Sequence, residues 1–141
     1  MATILVVEDE DQVRVLTESF LQSGGHTTLS ASSTEQALAL LSAEQTIELL
    51  FTDISLQGEL EAGLQLAIKA TEIHPGLKVL YTTGQGVTDG MMALFVENSA
   101  VLPKPYTVEQ LGTMLTMKFD LRSSAKAKTD GKTSSGGVAS A

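Results

Sequence analysis

The chain has 141 residues, enough for one well-buried core and too short for two ordinary domains. Hydrophobic residues make up 43% and charged residues 18%, a composition that folds, and the absence of cysteine excludes disulfide scaffolds, thiolate metal sites and cysteine nucleophiles. The net charge is −8, concentrated in residues 1–119, where fifteen acidic side chains face five basic ones; such a body is repelled by phosphate backbones and anionic membrane surfaces.

Strand-length apolar runs alternate with amphipathic stretches of helix length. Thr3-Ile4-Leu5-Val6-Val7 is the first run, cut off by Glu8-Asp9-Glu10-Asp11. Val13, Leu16, Thr17, Phe20 and Leu21 then recur as one helical face, ended by Gly24-Gly25. A weaker strand follows over residues 26–31. Ser33-Thr34-Glu35-Gln36 reads as a capping box opening a helix that carries Ala37, Leu38, Leu40 and Leu41.

An apolar strand over residues 47–52 ends on Asp53, and a Gly- and Glu-containing loop leads to a helix over 63–73, closed by His74-Pro75-Gly76. Residues 77–83 form another buried strand running into Gly84-Gln85-Gly86, and a short helix is expected over 88–98. Residues 100–103 make a last strand. Thr107-Val108-Glu109-Gln110 is a second capping box, opening a helix with Leu111, Met114 and Leu115. Five β/α units whose strands are apolar throughout predict an α/β fold, a doubly wound parallel sheet with helices on both faces. Beyond residue 119 the composition turns to Ser, Lys, Gly and Ala, so residues 120–141 are expected to be a disordered tail.

Ligands bind parallel α/β sheets at the carboxyl ends of the strands. Here those ends carry Glu8 and Asp9, then Asp53, then Thr83, then Lys104. Taken singly, each has an ordinary structural reading: a helix N-terminus, a turn carboxylate, a surface lysine. Together they match one chemistry. Three converging carboxylates repel one another unless a hard cation such as Mg²⁺ neutralises them, and a lysine and a hydroxyl opposite them suit the oxygens of an anion. A carboxylate flanked by a metal and a lysine is arranged for phosphoryl transfer, with Asp53 as attacking group. With two histidines, His26 and His74, at no zinc-binding spacing, and with no Trp, neither a zinc site nor a base-stacking surface is indicated.

The same residues carry a family resemblance. Ile4-Leu5-Val6-Val7-Glu8-Asp9, Asp53 after Leu49-Leu50-Phe51-Thr52, Thr83-Gly84 and Lys104-Pro105-Tyr106 resemble the receiver domains of response regulators in two-component signalling, over residues 1–119. The resemblance implies a flavodoxin-like (βα)5 fold with strand order 2-1-3-4-5. It implies Asp53 as phospho-acceptor, Asp9 as a direct Mg²⁺ ligand, Glu8 acting on the metal through water, and the Ser55 carbonyl completing the protein's share. Thr83 and Lys104 would take the phosphoryl oxygens, and the Lys104–Pro105 bond would be cis.

Three features depart from the family pattern. Leu56-Gln57-Gly58 stands where many receivers have a Pro, and the candidate glycine, Gly63, lies ten residues after Asp53, which suggests an insertion. The residue three before the lysine, an aromatic in many receivers, is Val101. The stretch Leu80-Tyr81-Thr82-Thr83-Gly84-Gln85-Gly86 resembles a divergent receiver group, met mostly in α-proteobacteria, in which a Gly-rich loop follows the fourth strand.

These expectations describe a stand-alone, non-enzymatic, cytoplasmic response regulator. Its partners would be a sensor histidine kinase or histidine phosphotransfer protein and a downstream protein target, with no nucleic acid and no membrane. A phosphorylation-independent pseudo-receiver is the alternative. An aspartyl-phosphate phosphohydrolase fits less well, because Ser55 stands where the second Asp of its DxD motif would be.

Overall fold

The computed structural model describes residues 2–43 and 46–121. The elements alternate strictly: β1 (Thr3–Val7), α1 (Asp11–Ser23), β2 (Thr27–Ala31), α2 (Thr34–Ala43), β3 (Leu49–Asp53), α3 (Ala62–Ile73), β4 (Lys78–Thr83), α4 (Asp89–Ala93), β5 (Ser99–Pro103) and α5 (Val108–Phe119). All neighbouring strands pair in parallel, in the order β2-β1-β3-β4-β5. The fold class and strand order are those expected. The carboxyl ends of β1, β3, β4 and β5 therefore share one edge.

Alternation along each strand divides the core in two. Leu5, Val7, Leu50, Val79 and Tyr81 face one side, where Ala37 and Leu41 of α2 and Leu64, Ala67 and Ala70 of α3 cover them. Ile4, Val6, Phe51, Leu80 and Leu102 face the other, beneath Leu21 of α1 and Leu111, Leu115 and Phe119 of α5. Central strands buried on both faces explain the unbroken apolar runs. The edge strand β2 is only half-buried, which explains its weaker signal.

Several local expectations are corrected. On α1, Thr17 and Leu21 are buried but Leu16 is 54% exposed, because the helix touches the sheet along a narrower stripe than the periodicity allows. At α2, Ser33 Oγ caps the Gln36 N–H at 3.2 Å, but the Gln36 side chain reaches back to Ser32, whose N–H and Oγ both donate to it. That box is therefore shifted by one residue in its return arm. The Thr107–Gln110 box is complete in both directions.

The fourth helix stops at Ala93, well short of residue 98. Leu94 and Phe95 already bond three residues back, and the Val96 N–H donates to the Tyr81 hydroxyl instead of to a helical carbonyl. A tertiary contact thus ends this helix. At the C-terminal end of α5, Asp120 adopts a left-handed φ of 58° and the Leu121 N–H donates to the Leu115 carbonyl, which places Leu121 in the core. The packed body therefore runs two residues past the boundary drawn at 119. The rest of the expected tail, residues 122–141, lies outside the described residues. No helix among the described residues is long and apolar enough to cross a membrane.

Gly63 fixes the start of α3 against the end of β3. A Cβ built there would lie 1.9 Å from the Asp53 carbonyl oxygen, a collision with backbone that no side chain can yield to. Gly112, on the exposed face of α5, has nothing within 4 Å of such a Cβ. Chemical denaturation should therefore separate the two alanine variants: Gly63→Ala loses about 2–3 kcal/mol, whereas Gly112→Ala gains about 0.5–1 kcal/mol from helix propensity.

His26 supplies a pH dependence. It is buried, its Nδ1 accepts the Ala2 N–H at 3.1 Å, and burial holds its pKa below the usual 6.5. The unfolded chain takes up this proton first, so the contribution is present above pH 6.5 and is lost as pH falls through that value towards the folded pKa. Urea midpoints of the native protein should decline over this window. His26→Asn, which keeps an acceptor in place of Nδ1, should flatten the decline.

Candidate functional site

Each strand end contributes one part of the site. β1 runs out at Val7, so Glu8 and Asp9 follow directly at the sheet edge, and the Glu8 N–H still bonds the Ala31 carbonyl of β2 as if the strand continued. Arg14 of α1 secures this turn by donating to the Glu8 carbonyl at 2.9 Å and pairing with Asp11 at 2.6 Å. Asp53 is the last residue of β3, and Lys104 follows β5, its N–H bonded to the Thr83 carbonyl at 2.8 Å. The Lys104–Pro105 peptide is cis.

The side chains converge. Lys104 Nζ lies 2.8 Å from Asp53 Oδ2 and 2.9 Å from Glu8 Oε1, bridging two carboxylates. One ligand oxygen each from Glu8, Asp9 and Asp53 can be chosen so that all lie within 4.8 Å of one another. Glu8 is 4% exposed and Asp53 9%, whereas Asp9 faces solvent. Burial raises the Glu8 carboxyl above its usual value, against the opposing pull of hydrogen bonds from Lys104 and the Glu10 N–H. Burial also works against the Lys104 ammonium, but the hydrogen bonds and charges of Asp53 and Glu8 outweigh it and hold the lysine well above its ordinary pKa. The lysine is charged at any physiological pH, so one positive charge faces three acidic groups.

The remaining expected residues occupy different roles. Ser55 sits beside Asp53, and its N–H donates to Asp53 Oδ1 at 3.3 Å. Thr83 is at the edge of the site and nearly buried, but its hydroxyl is engaged with Gln85, accepting the N–H at 3.1 Å and donating to the carbonyl at 3.2 Å. The loop after Asp53 folds into a tight turn at Gln57 and Gly58, both with positive φ and closed by two backbone hydrogen bonds between Leu56 and Glu59. That turn aims the Gln57 N–H at Asp9 Oδ2, 2.9 Å away.

This backbone contact was not legible in the sequence, since any residue can supply an N–H. Nor was the support of the lysine turn by Tyr106. The Tyr106 hydroxyl is 2.9 Å from Thr17 Oγ1 of α1, and its ring lies 6.0 Å from that of Phe51, two residues before Asp53.

A parallel 2-1-3-4-5 sheet with an acidic, lysine-bridged pocket at its carboxyl edge defines a flavodoxin-like domain with a charged site at the strand ends. The sequence profile of the response regulator receiver domain matches residues 4–116, and the chain belongs to that family. The response regulator receiver protein CpdR of Brucella abortus is 32% identical over 116 residues, 79% of this chain and 91% of CpdR. The sensor kinase CckA of the same organism is 31% identical over 114 residues, 79% of this chain. The chain spans only 12% of CckA, and only 24% of the nitrogen assimilation regulatory protein NtrX of Azorhizobium caulinodans. A solved receiver protein from Sinorhizobium medicae superposes with a TM-score of 0.75 at 30% identity, over 86% of this chain and 96% of that one.

Removing the lysine should expose the cost of gathering these acids. Lys104→Met is expected to destabilise the protein by about 1–3 kcal/mol at pH 7, less than for a fully buried pair because the lysine is partly solvated. Without its partner the Glu8 carboxyl titrates higher still in the folded state. A raised carboxyl stabilises the fold below its unfolded pKa and loses that contribution as pH rises through the folded one. The deficit relative to the native protein should therefore shrink as pH is lowered from 7 towards 5, as read from denaturation midpoints.

Proposed function

We propose that Asp53 accepts a phosphoryl group from the phosphohistidine of a sensor histidine kinase or histidine phosphotransfer protein, with Mg²⁺, and that the chain signals through phosphorylation-dependent contact with another protein or serves as a phosphate sink or shuttle. The observation that carries this reading is the Lys104 ammonium 2.8 Å from Asp53, beside three carboxylates whose oxygens come within 4.8 Å of one another. An all-oxygen donor set with more negative than positive charge fits Mg²⁺, which takes hard oxygen ligands and keeps several waters. Asp9, Asp53 and the Ser55 carbonyl would hold it directly, and Glu8 through water. When bound, it would offset the clustered negative charge and draw charge from the phosphoryl oxygens.

The protein's own groups account for the rest. A carboxylate oxygen of Asp53 forms the new P–O bond as the P–N bond breaks and the imidazole keeps the electron pair. Lys104, already beside Asp53, meets the charge on the transferring oxygens. It also remains paired with Glu8, which keeps its ammonium in the pocket while Asp53 is consumed. The Ser55 N–H orients the acceptor. The Thr83 hydroxyl serves a phosphoryl oxygen only after leaving Gln85, so acceptance is coupled to rearrangement of the loop after β4. That loop leads to the face made by α4, β5 and α5, where we place the downstream partner. We place the protein in the cytoplasm.

Intact mass after incubation with acetyl phosphate and Mg²⁺ tests the reading. One added phosphoryl group is expected on the native protein, and none without Mg²⁺ or in Asp53→Asn. An adduct that persists in Asp53→Asn would reject the assigned acceptor. Absence of any adduct, with no uptake of beryllofluoride, would leave the pseudo-receiver in its place.

A further inference from the structure

Two of the three clustered carboxylates are held by Lys104, whose Nζ lies 2.9 Å from Glu8 and 2.8 Å from Asp53. Asp9, the third, is exposed at the rim and forms no ion pair among the described residues. Its side chain accepts one hydrogen bond among those residues, from the Gln57 N–H to Oδ2 at 2.9 Å. The donor stands 48 positions away in the chain, in the loop between β3 and α3.

That loop is shaped to present this donor. Leu56 and Glu59 exchange two backbone hydrogen bonds, of 3.1 and 2.9 Å, around Gln57 and Gly58, whose φ values are 52° and 82°. Positive φ at both central residues is the pattern of a type I′ turn. One foot of the turn is Leu56, 1% exposed and packed in the core layer covered by α2 and α3. The other foot runs into α3, whose Gly63 N–H bonds the Ile54 carbonyl at 2.7 Å. Both feet are therefore fixed, and the tip carries its N–H onto Asp9. Leu56-Gln57-Gly58 also stands where many receivers have a Pro. A Pro at position 57 would have no N–H to give and no access to positive φ.

We propose that the turn from Leu56 to Glu59 is a positioning element of the metal site: the Gln57 N–H sets the direction of the Asp9 carboxylate and thereby the affinity for a divalent cation. This rests on the divalent cation of the proposed function and adds which residues tune its binding. A carboxylate already held by an outer donor has less side-chain freedom left to lose when it takes a metal. Such outer hydrogen bonds are worth about 10- to 100-fold in metal affinity. The turn contributes twice, because Ser55, whose carbonyl the proposed function gives to the same ion, lies two residues before Gln57. The bond between Gln57 and Asp9 thus ties together two ligands that come from separate strand ends.

Titration of the full chain with Mn²⁺, which takes the same oxygen ligands as Mg²⁺, tests the turn without any phosphodonor. Free Mn²⁺ is read by electron paramagnetic resonance, and broadening of amide NMR signals locates the bound ion, expected at Asp9, Asp53 and Ser55. Gln57→Pro, which removes the N–H, and Gly58→Val, which opposes the positive φ, should each weaken Mn²⁺ binding about tenfold. Gly58→Asn, which tolerates positive φ, should stay within about threefold of the native protein. Gln57→Gly keeps the N–H and eases the φ of 52°, so it should bind at least as tightly as the native protein. Gln57 and Gly58 are exposed and a Cβ at Gly58 meets nothing within 4 Å, so these changes leave the core untouched. Gly58→Ala serves if Gly58→Val does not fold. Native affinity in Gln57→Pro or Gly58→Val would overturn the role of the turn and leave the metal reading standing. So would equal weakening in Gly58→Asn and Gln57→Gly, which keep the N–H and its geometry. No Mn²⁺ uptake by the native protein, or broadening centred elsewhere, would overturn the metal reading and the role of the turn with it.

Discussion

The Lys104 ammonium, held between Glu8 and Asp53, is the constraint on which the site depends. Burial disfavours the Glu8 carboxylate, and repulsion from Asp53 adds to the cost. A single lysine at 2.8 and 2.9 Å offsets much of it, because charge attraction is stronger where water is partly excluded. The compensation is incomplete, and that matters for function. Glu8 remains raised by its burial, and Asp9 adds a third negative group at the rim. A pocket left with excess negative charge favours a further cation, and so gives physical sense to the divalent metal proposed for it.

The rest of the molecule supports that pairing from a distance. Lys104 reaches Glu8 and Asp53 across the sheet only because β1, β3, β4 and β5 end on one edge, with β3 between β1 and β4. Two core layers hold those strands in register, and the Thr83 carbonyl ties the Lys104 backbone to β4. Tyr106 then fixes the turn after the lysine against α1 and β3. On the Asp53 side, Gly63 lets α3 approach the Asp53 backbone so closely that its own N–H bonds the Ile54 carbonyl at 2.7 Å. Glu8, Asp53 and Lys104 are therefore held by the strand ends and the core beneath them, whereas Thr83, at the end of β4, is tied to the exposed loop that follows it.

That division separates the carboxylate–lysine cluster from the loop after β4. Glu8, Asp53 and Lys104 are bonded to one another, whereas Thr83 is bonded to its own loop. A phosphoryl group would compete with Gln85 for one hydroxyl, a small change at the site. The loop it releases continues into a five-residue helix resting on the core. The local event is weak, but it acts on a segment with little regular structure of its own.

The sequence by itself determined the α/β class, the extent of most elements and four of the groups that meet at the strand ends: Glu8, Asp9, Asp53 and Lys104. It could do so because unbroken apolar runs mark buried parallel strands, and because the residue ending each such run must lie at the shared edge. Strand order came from resemblance, since periodicity says nothing about which strands are neighbours. Tertiary structure alone decided the direction of the Thr83 hydroxyl, the Gln57 N–H on Asp9, the exposure of Leu16 and the early end of α4 at Ala93. Each of these depends on a contact between residues distant in sequence or on a backbone group common to all residues. The last is the clearest case: residues 94–98 carry enough apolar side chains to continue a helix, but a hydroxyl from β4 takes the Val96 N–H that the helix would have used.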